Sequence, residues 1–309
     1  MTGARTIGWG TALPENIMTN ADLEKIVDTS DEWIVERTGI RQRHIGGTTA
    51  GLATEAGRKA LEKAGVDPSG IDLLILATTS PDRDIPATAS TVQKNLGLEC
   101  GAFDLNAACS GFVYAMVAGH GFIRSGLERI LVIGAETLHQ YIDWEDRNTC
   151  ILFADGAGAA VIERTEGEGE LLGWSLSSDG DYEEALYVDR GDKVKMAGRE
   201  VFRQAVLVME RAGRAAMKQA GLEPSDISVV IPHQANIRII EASCRRLGIP
   251  MEKAIVVLDR TGNTSAASVP LALAEALDTG RISEGDNVLL VGFGAGMSSA
   301  AAVLRWGAR

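Results

Sequence analysis

The sequence predicts an α/β fold made of two copies of one helix-turn-strand unit, and three observations carry the prediction. The stretch Gly57-Arg-Lys-Ala-Leu-Glu-Lys-Ala-Gly65-Val-Asp-Pro68-Ser-Gly-Ile71 is matched by Gly213-Arg-Ala-Ala-Met-Lys-Gln-Ala-Gly221-Leu-Glu-Pro224-Ser-Asp-Ile227. Continuous apolar runs follow each copy, at residues 71–77 and 227–232, of the kind buried on both faces of a sheet. Each half then closes with strand, glycine turn and strand, at 129–134 and 155–162 in the first half and 287–292 and 301–303 in the second.

Taken in order, each copy reads as a helix stopped by glycine, a proline turn and a buried strand. Strands alternating with helices predict mainly parallel sheets with helices packed between or over them. The polar, Gly/Glu-rich stretch 163–170 separates the halves, which are drawn at 1–168 and 169–309. In a duplicated α/β protein the natural place for a site is the crevice at the carboxyl ends of the strands, where the halves meet.

Composition bounds the function. A net charge of −12 argues against nucleic acid as a partner, because phosphate binding needs a basic surface. No apolar run near the start suits a signal peptide and none elsewhere reaches roughly 20 residues, so a soluble, cytoplasmic protein without membrane contact is expected. The four cysteines, Cys100, Cys109, Cys150 and Cys244, form neither a C-x-x-C pair nor a Cys/His cluster. Neither a metal site nor a disulfide framework is expected.

Cys109 stands in Asp104-Leu-Asn-Ala-Ala-Cys-Ser-Gly-Phe112, ahead of a nearly uncharged helix over 113–123. A thiol at a buried helix N-terminus is expected to have its pKa lowered from about 8.5, which makes a competent nucleophile. The same cysteine also fits a core as a small hydrophobe. His233 lies in Pro232-His-Gln-Ala-Asn236 at the end of a buried strand, either a working residue or a satisfied structural one. Asn263, in Gly262-Asn-Thr-Ser-Ala-Ala-Ser268, opens a small-residue helix, and an ordinary N-cap is its other reading. Shifting Cys109 by the repeat spacing lands within two residues of Asn263. The turns Gly156-Ala-Gly158 and Gly292-Phe-Gly-Ala-Gly296 are incomplete dinucleotide fingerprints. Beside a nucleophile, exposed N–H groups of such a turn suit a developing oxyanion.

With these three motifs in this order, and with Asp28-Thr-Ser-Asp-Glu-Trp-Ile34, Arg37-Thr-Gly-Ile-Arg-Gln-Arg43 and Asp143-Trp-Glu-Asp-Arg147, the sequence resembles the β-ketoacyl-acyl-carrier-protein synthase III family along essentially its whole length. The resemblance implies a thiolase-like αβαβα layered fold, a homodimer and a Cys109-His233-Asn263 triad. It separates this chain from degradative thiolases, with Cys-His-Cys, and from elongating ketosynthases, with Cys-His-His. It also implies an initiating acyltransferase of fatty-acid biosynthesis, joining an acyl-CoA primer to malonyl-acyl carrier protein with loss of carbon dioxide. The coenzyme A thioester is then a substrate, and no cofactor is implied.

By the same resemblance Cys109 and Gly296 supply the oxyanion N–H groups, and Trp33 and Arg147 sandwich the adenine. Arg37 lies near the phosphates and Asn236 along the pantetheine arm. Arg203, Arg238, Arg245 and Arg246 form the carrier-protein docking ridge, for which ordinary helix solubility is the alternative. Ile85 stands where well-known members carry an aromatic residue at the dimer-side wall of the acyl pocket, so a branched or longer primer is expected. A starter-unit or acyltransferase enzyme of secondary metabolism and a non-catalytic acyl-CoA-binding scaffold are the competing functions.

Overall fold

The computed structural model describes residues 2–308. Its first sheet contains β1 (Thr2–Ala12), β2 (Leu73–Ala77), β3 (Gly101–Leu105), β4 (Arg129–Thr137) and β5 (Asp155–Glu166), in the order β1-β5-β4-β2-β3. A second sheet contains β6 (Leu171–Ser177), β7 (Val229–Pro232), β8 (Asn287–Gly294) and β9 (Ser298–Arg305), in the order β7-β8-β9-β6. The duplication is visible strand by strand. β4 runs parallel to β2 and antiparallel to β5, and β8 runs parallel to β7 and antiparallel to β9. Among the described residues the counterpart of the outer strand β3 is a one-residue one, the parallel bridge Val230–Ala254.

Seven helices position the site: α1 (Asp31–Thr38), α2 (Thr49–Ala64), α3 (Thr88–Leu96), α4 (Gly111–Arg124), α5 (Gly198–Ala220), α6 (Ile237–Leu247) and α7 (Ser268–Asp278). The repeat-bearing helices α2 and α5 end alike, with Gly65 at φ 65° and Gly221 at φ 70° closing the last turn. Those left-handed caps are the reason glycine ends both copies. α4 and α7 are apolar nearly all round and pack between the two sheets, where Phe112, Val113, Met116, Val269 and Leu273 join residues of both. Burying each such side chain contributes roughly 1.5–3 kcal/mol relative to exposure. α2 and α3 cover the outer face of the first sheet, and α5 and α6 that of the second. The result is the five-layer αβαβα order expected.

The halves meet closely enough to demand glycine. A Cβ on Gly134, in β4, would lie 2.4 Å from the carbonyl oxygen of Ala266 in the other half. No side chain fits in that gap, so the backbones of the two halves touch directly beside the Asn263 turn.

The passage between sheets, residues 167–170, ends in Glu170, which is fully buried and accepts hydrogen bonds from the Thr6 N–H at 2.8 Å, the Thr6 hydroxyl at 2.9 Å and the Gly307 N–H at 3.0 Å. Burial outweighs these donors and pushes its carboxyl from 4.5 up to about 7. The folded state then holds this proton more tightly than the unfolded chain, so stability is full below about pH 4.5 and falls as pH rises toward 7. Urea unfolding at pH 5 and pH 8 is expected to differ by up to about 3 kcal/mol from this group, with the lower stability at pH 8. Glu170→Gln should remove that part of the slope, and an equally steep slope in the variant would place its origin elsewhere.

Candidate active site

Cys109 follows β3 in a single 3-10 turn, Ala108–Ser110, that runs into α4. The turn is pinned from the second half. Ser110 donates to the Ala107 carbonyl at 2.7 Å, and the Ser298 hydroxyl lies 3.0 Å from both the Ser110 hydroxyl and that carbonyl. A Cβ at Gly294 would come within 2.5 Å of the Cys109 nitrogen, so the end of β8 lies against the Cys109 turn.

His233 caps β7 and flanks the same crossing. A Cβ at Gly292 would meet the His233 Cβ at 3.5 Å, the Ser110 Cα at 3.6 Å and the Cys109 oxygen at 3.7 Å. The imidazole Nδ1 lies 2.6 Å from the Ser268 hydroxyl, and the Phe293 ring packs edge-on with centroids 5.4 Å apart. Asn263 is held by strand-like pairing with the first half: its N–H donates to the Leu152 carbonyl at 2.9 Å, and its carbonyl accepts from Ala154 at 2.8 Å. Its side-chain oxygen accepts the Ser265 N–H at 2.9 Å. The alternative reading of Asn263 as an N-cap of α7 does not hold, because a 3-10 turn, Ser265–Ala267, intervenes before the helix begins at Ser268.

Among the described residues the non-glycine positions with left-handed φ are Ala108 at 49°, Ser265 at 46° and Met297 at 40°. They adjoin Cys109, Asn263 and Gly296 respectively. Ala108 and Ser265 occupy the same place in the two repeats. Such conformations cost about 1–3 kcal/mol each and persist only where surrounding packing imposes them, which marks these three turns as strained together.

The electrostatics depart from the sequence expectation for the thiol. Cys109 is pushed up to about 12 by burial, with the Glu136 carboxylate acting in the same direction and the Ser265 side chain opposing. Cys109 lies ahead of the first turn of α4 rather than within it, so the helix N-terminus does not offset the loss of water. His233 is pushed down to about 3 by burial and is therefore neutral across the physiological range.

A cavity of about 960 Å³ opens onto Cys109, Gly296 and Ser265 and is walled by Leu105, Tyr141 and Phe153. His233 and Asn263 do not line it. They sit behind Cys109 and Phe153, through the Gly292 crossing and the Phe153–Asn263 bridge. Ile85 does not line it either: the side chain is 86% exposed on the loop whose Asp84 does.

On the surface, the Arg37 and Arg147 guanidinium carbons lie 4.6 and 5.1 Å from the centroid of the Trp33 ring. Arg147 also donates to the Asp28 carbonyl at 2.9 Å, so an adenine entering between Trp33 and Arg147 must first displace it. Asn236 is occupied at both ends, capping α6 through the Arg238 N–H at 2.9 Å and donating to the Arg37 carbonyl at 2.8 Å. Of the predicted basic ridge, Arg203 pairs with Glu200 and Arg246 with Glu210. Arg238 stacks 5.6 Å from the Phe202 ring, and among the described residues neither Arg238 nor Arg245 has an acidic ion-pair partner.

Sequence reading missed Ser268, Ser265 and Glu136. Glu136 had a signal: it is the single acid that ends the apolar run after Arg129, on a strand buried along its length. The two serines had none, because their roles depend on which residues cross in space. Among the described residues no cluster of three or more His, Cys, Asp or Glu is placed to hold a metal, and no helix is long and apolar enough to cross a membrane.

The chain is similar to known proteins along nearly its whole length. Residues 103–180 and 217–306 match the 3-oxoacyl-[acyl-carrier-protein] synthase III family and its C-terminal region. A β-ketoacyl-[acyl-carrier-protein] synthase III of Roseiflexus is 49% identical over 98% of both chains. The crystal structure of 3-oxoacyl-[acyl-carrier-protein] synthase III from Aquifex aeolicus superposes with a TM-score of 0.96 at 47% identity, covering 98% of this chain and 100% of that one. The priming β-ketosynthase of the R1128 polyketide pathway gives 0.93 at 37% identity, over 98% and 96%.

The buried thiol gives a direct expectation. Alkylation of Cys109 by iodoacetamide, measured on its own peptide by mass, should rise about tenfold per pH unit from pH 7 to 10 without levelling. A plateau below pH 8 would mean that the thiolate is stabilised at rest after all.

Proposed function

The chain belongs to the 3-oxoacyl-[acyl-carrier-protein] synthase III family of condensing acyltransferases, and on that premise we propose that Cys109, His233 and Asn263 carry a decarboxylative Claisen condensation between an acyl-CoA primer and malonyl-acyl carrier protein. The reaction gives 3-oxoacyl-carrier protein, coenzyme A and carbon dioxide and initiates fatty-acid synthesis in the cytoplasm. The observation that carries the assignment of residues is the meeting of Cys109 and Gly296 on one cavity with His233 across Gly292. We divide the chain at 168/169 into a half bearing the nucleophile and a half bearing its two partners.

In the first step the Cys109 sulfur attacks the thioester carbon. The new C–S bond forms as the bond to coenzyme A breaks, and the thiol proton leaves with the coenzyme A thiolate. The N–H groups of Cys109 and Gly296 stabilise the oxyanion between these events. Because the resting thiol is high, the proton is lost during reaction rather than before it.

In the second step malonyl thioester loses carbon dioxide and its electron pair becomes an enolate. A neutral His233 suits this step better than an imidazolium, since it donates a hydrogen bond without surrendering its proton. Ser268 already accepts the Gln234 N–H at 3.3 Å, so its hydroxyl proton is free to point at Nδ1, which leaves the imidazole proton on Nε2 for the enolate. The Asn263 amide is the second donor. The enolate carbon then attacks the acyl-Cys109 carbonyl and releases the thiolate.

Coenzyme A is assigned to Trp33, Arg37 and Arg147, with Asn236 fixing the Arg37 backbone rather than offering a free amide. The carrier protein is assigned to the α5/α6 face, where the unpaired Arg238 and Arg245 lead and Arg203 and Arg246 must exchange partners. A second copy is assigned to the free edge of β3, whose Phe103 packs against the partly exposed Phe122. Ile85 would then border the partner's acyl pocket. The likeness to the R1128 priming enzyme favours one further reading, a starter-unit condensation in secondary metabolism. Both condensations release carbon dioxide, and only the pathway product separates them.

Incubation with acyl-CoA is expected to raise the intact mass by one acyl group, and Cys109→Ala should abolish the increase. An adduct that survives in the variant would remove Cys109 from the nucleophile's role. Light scattering is expected to give twice 32.7 kDa. Isobutyryl-CoA or longer primers should react at least as well as acetyl-CoA, and turnover of acetyl-CoA alone would overturn the role given to Ile85.

A further inference from the structure

Glu136 ends β4, is completely buried and takes no part in the condensation chemistry. Its carboxyl oxygens lie 3.0 and 3.2 Å from the Thr79 nitrogen and accept the Ser80 hydroxyl at 2.5 Å, the Thr78 hydroxyl at 3.3 Å and the Ala266 N–H at 3.3 Å. Burial holds the carboxyl above the ordinary carboxylate range, and hydrogen bonds from Ser80, Thr79 and Ala266 oppose the rise. Ser80 Oγ already accepts the Thr137 N–H at 2.8 Å, and Thr78 Oγ1 already accepts the Ser80 N–H at 3.1 Å, so both protons are free for Glu136. Thr78, Thr79 and Ser80 belong to the turn after β2. Ala266 belongs to the turn that carries Asn263, from the other half of the chain.

Two of these donors are backbone N–H groups, which can never accept. Both reach the same Oε1, at 3.2 and 3.3 Å, so one acceptor oxygen joins a backbone of each half. The ionisable groups facing Glu136 are Cys109 and Tyr141, and those facing Cys109 are Glu136 and His233.

We propose that Glu136 is a positioning residue for the condensation: it fastens the turn after β2 to the Asn263 turn across the two halves. The proposal rests on Cys109 being the acyl-accepting thiol. The hydrogen bonds hold the Asn263 turn in register with that thiol.

The test uses the full chain carrying Glu136→Ala, which removes the acceptors, or Glu136→Gln, which keeps one. In Glu136→Ala condensation kcat should fall at least about tenfold while KM for acyl-CoA stays within about twofold, since misplacement touches the reacting groups and not the coenzyme A site. Glu136→Gln should restore most of that kcat. A wild-type kcat in Glu136→Ala overturns the proposal. Should that variant fail to fold, Glu136→Asp decides: lowered kcat at unchanged KM upholds it and wild-type kcat overturns it. Absence of an acyl adduct on wild-type Cys109 would instead defeat the functional reading.

Discussion

Everything at this site depends on two backbones approaching without side chains between them. Gly134 touches the Ala266 carbonyl from one side, and Gly294 touches the Cys109 nitrogen from the other. Because the fold is a duplication, these contacts are related: a strand of each half lies against the turn that enters the central helix of the other. The turns so trapped carry left-handed Ala108 and Ser265, and the turn after β8 carries left-handed Met297. Packing of α4 and α7 against both sheets supplies the stabilisation that holds them in those conformations.

The same burial sets the charge states. A thiol, an imidazole and a carboxyl group are buried together beside one cavity. Desolvation favours the neutral form of all three, raising the thiol and the carboxyl and lowering the imidazole. The site therefore rests as an array of hydrogen-bond donors rather than as an ion pair. That arrangement suits a reaction whose two steps both place negative charge on an oxygen, because donors already oriented in a dry site need little reorganisation when the charge appears.

The surface answers to different physics. On a chain with a net charge of −12, cations find acids nearby, and Arg203 and Arg246 have done so along the α5/α6 face. Exposed pairs of this kind contribute little to stability and exchange readily. An acidic partner can thus recruit them without a large cost. Arg147 over Trp33 is in the same position, closed on the ring yet displaceable.

The sequence by itself determined the duplication, the order of strands and helices, and the three motifs that hold Cys109, His233 and Asn263. These are local properties: glycine stops, proline turns and apolar runs act over a few residues and recur at a fixed spacing. It also located Trp33, Arg37 and Arg147 through motif resemblance, and the structure brings all three together. Only the tertiary structure decided the chemistry of the thiol. The sequence placed Cys109 at a helix start and so predicted a lowered pKa, but the extra 3-10 turn and the burial by the second half reverse the sign. The helix-cap alternative for Asn263 fell for a similar reason, its backbone bonds being made with Leu152 and Ala154. Glu136, Ser265 and Ser268 were legible only once the halves were stacked, because their partners lie across the duplication, where no periodicity in the chain records who meets whom.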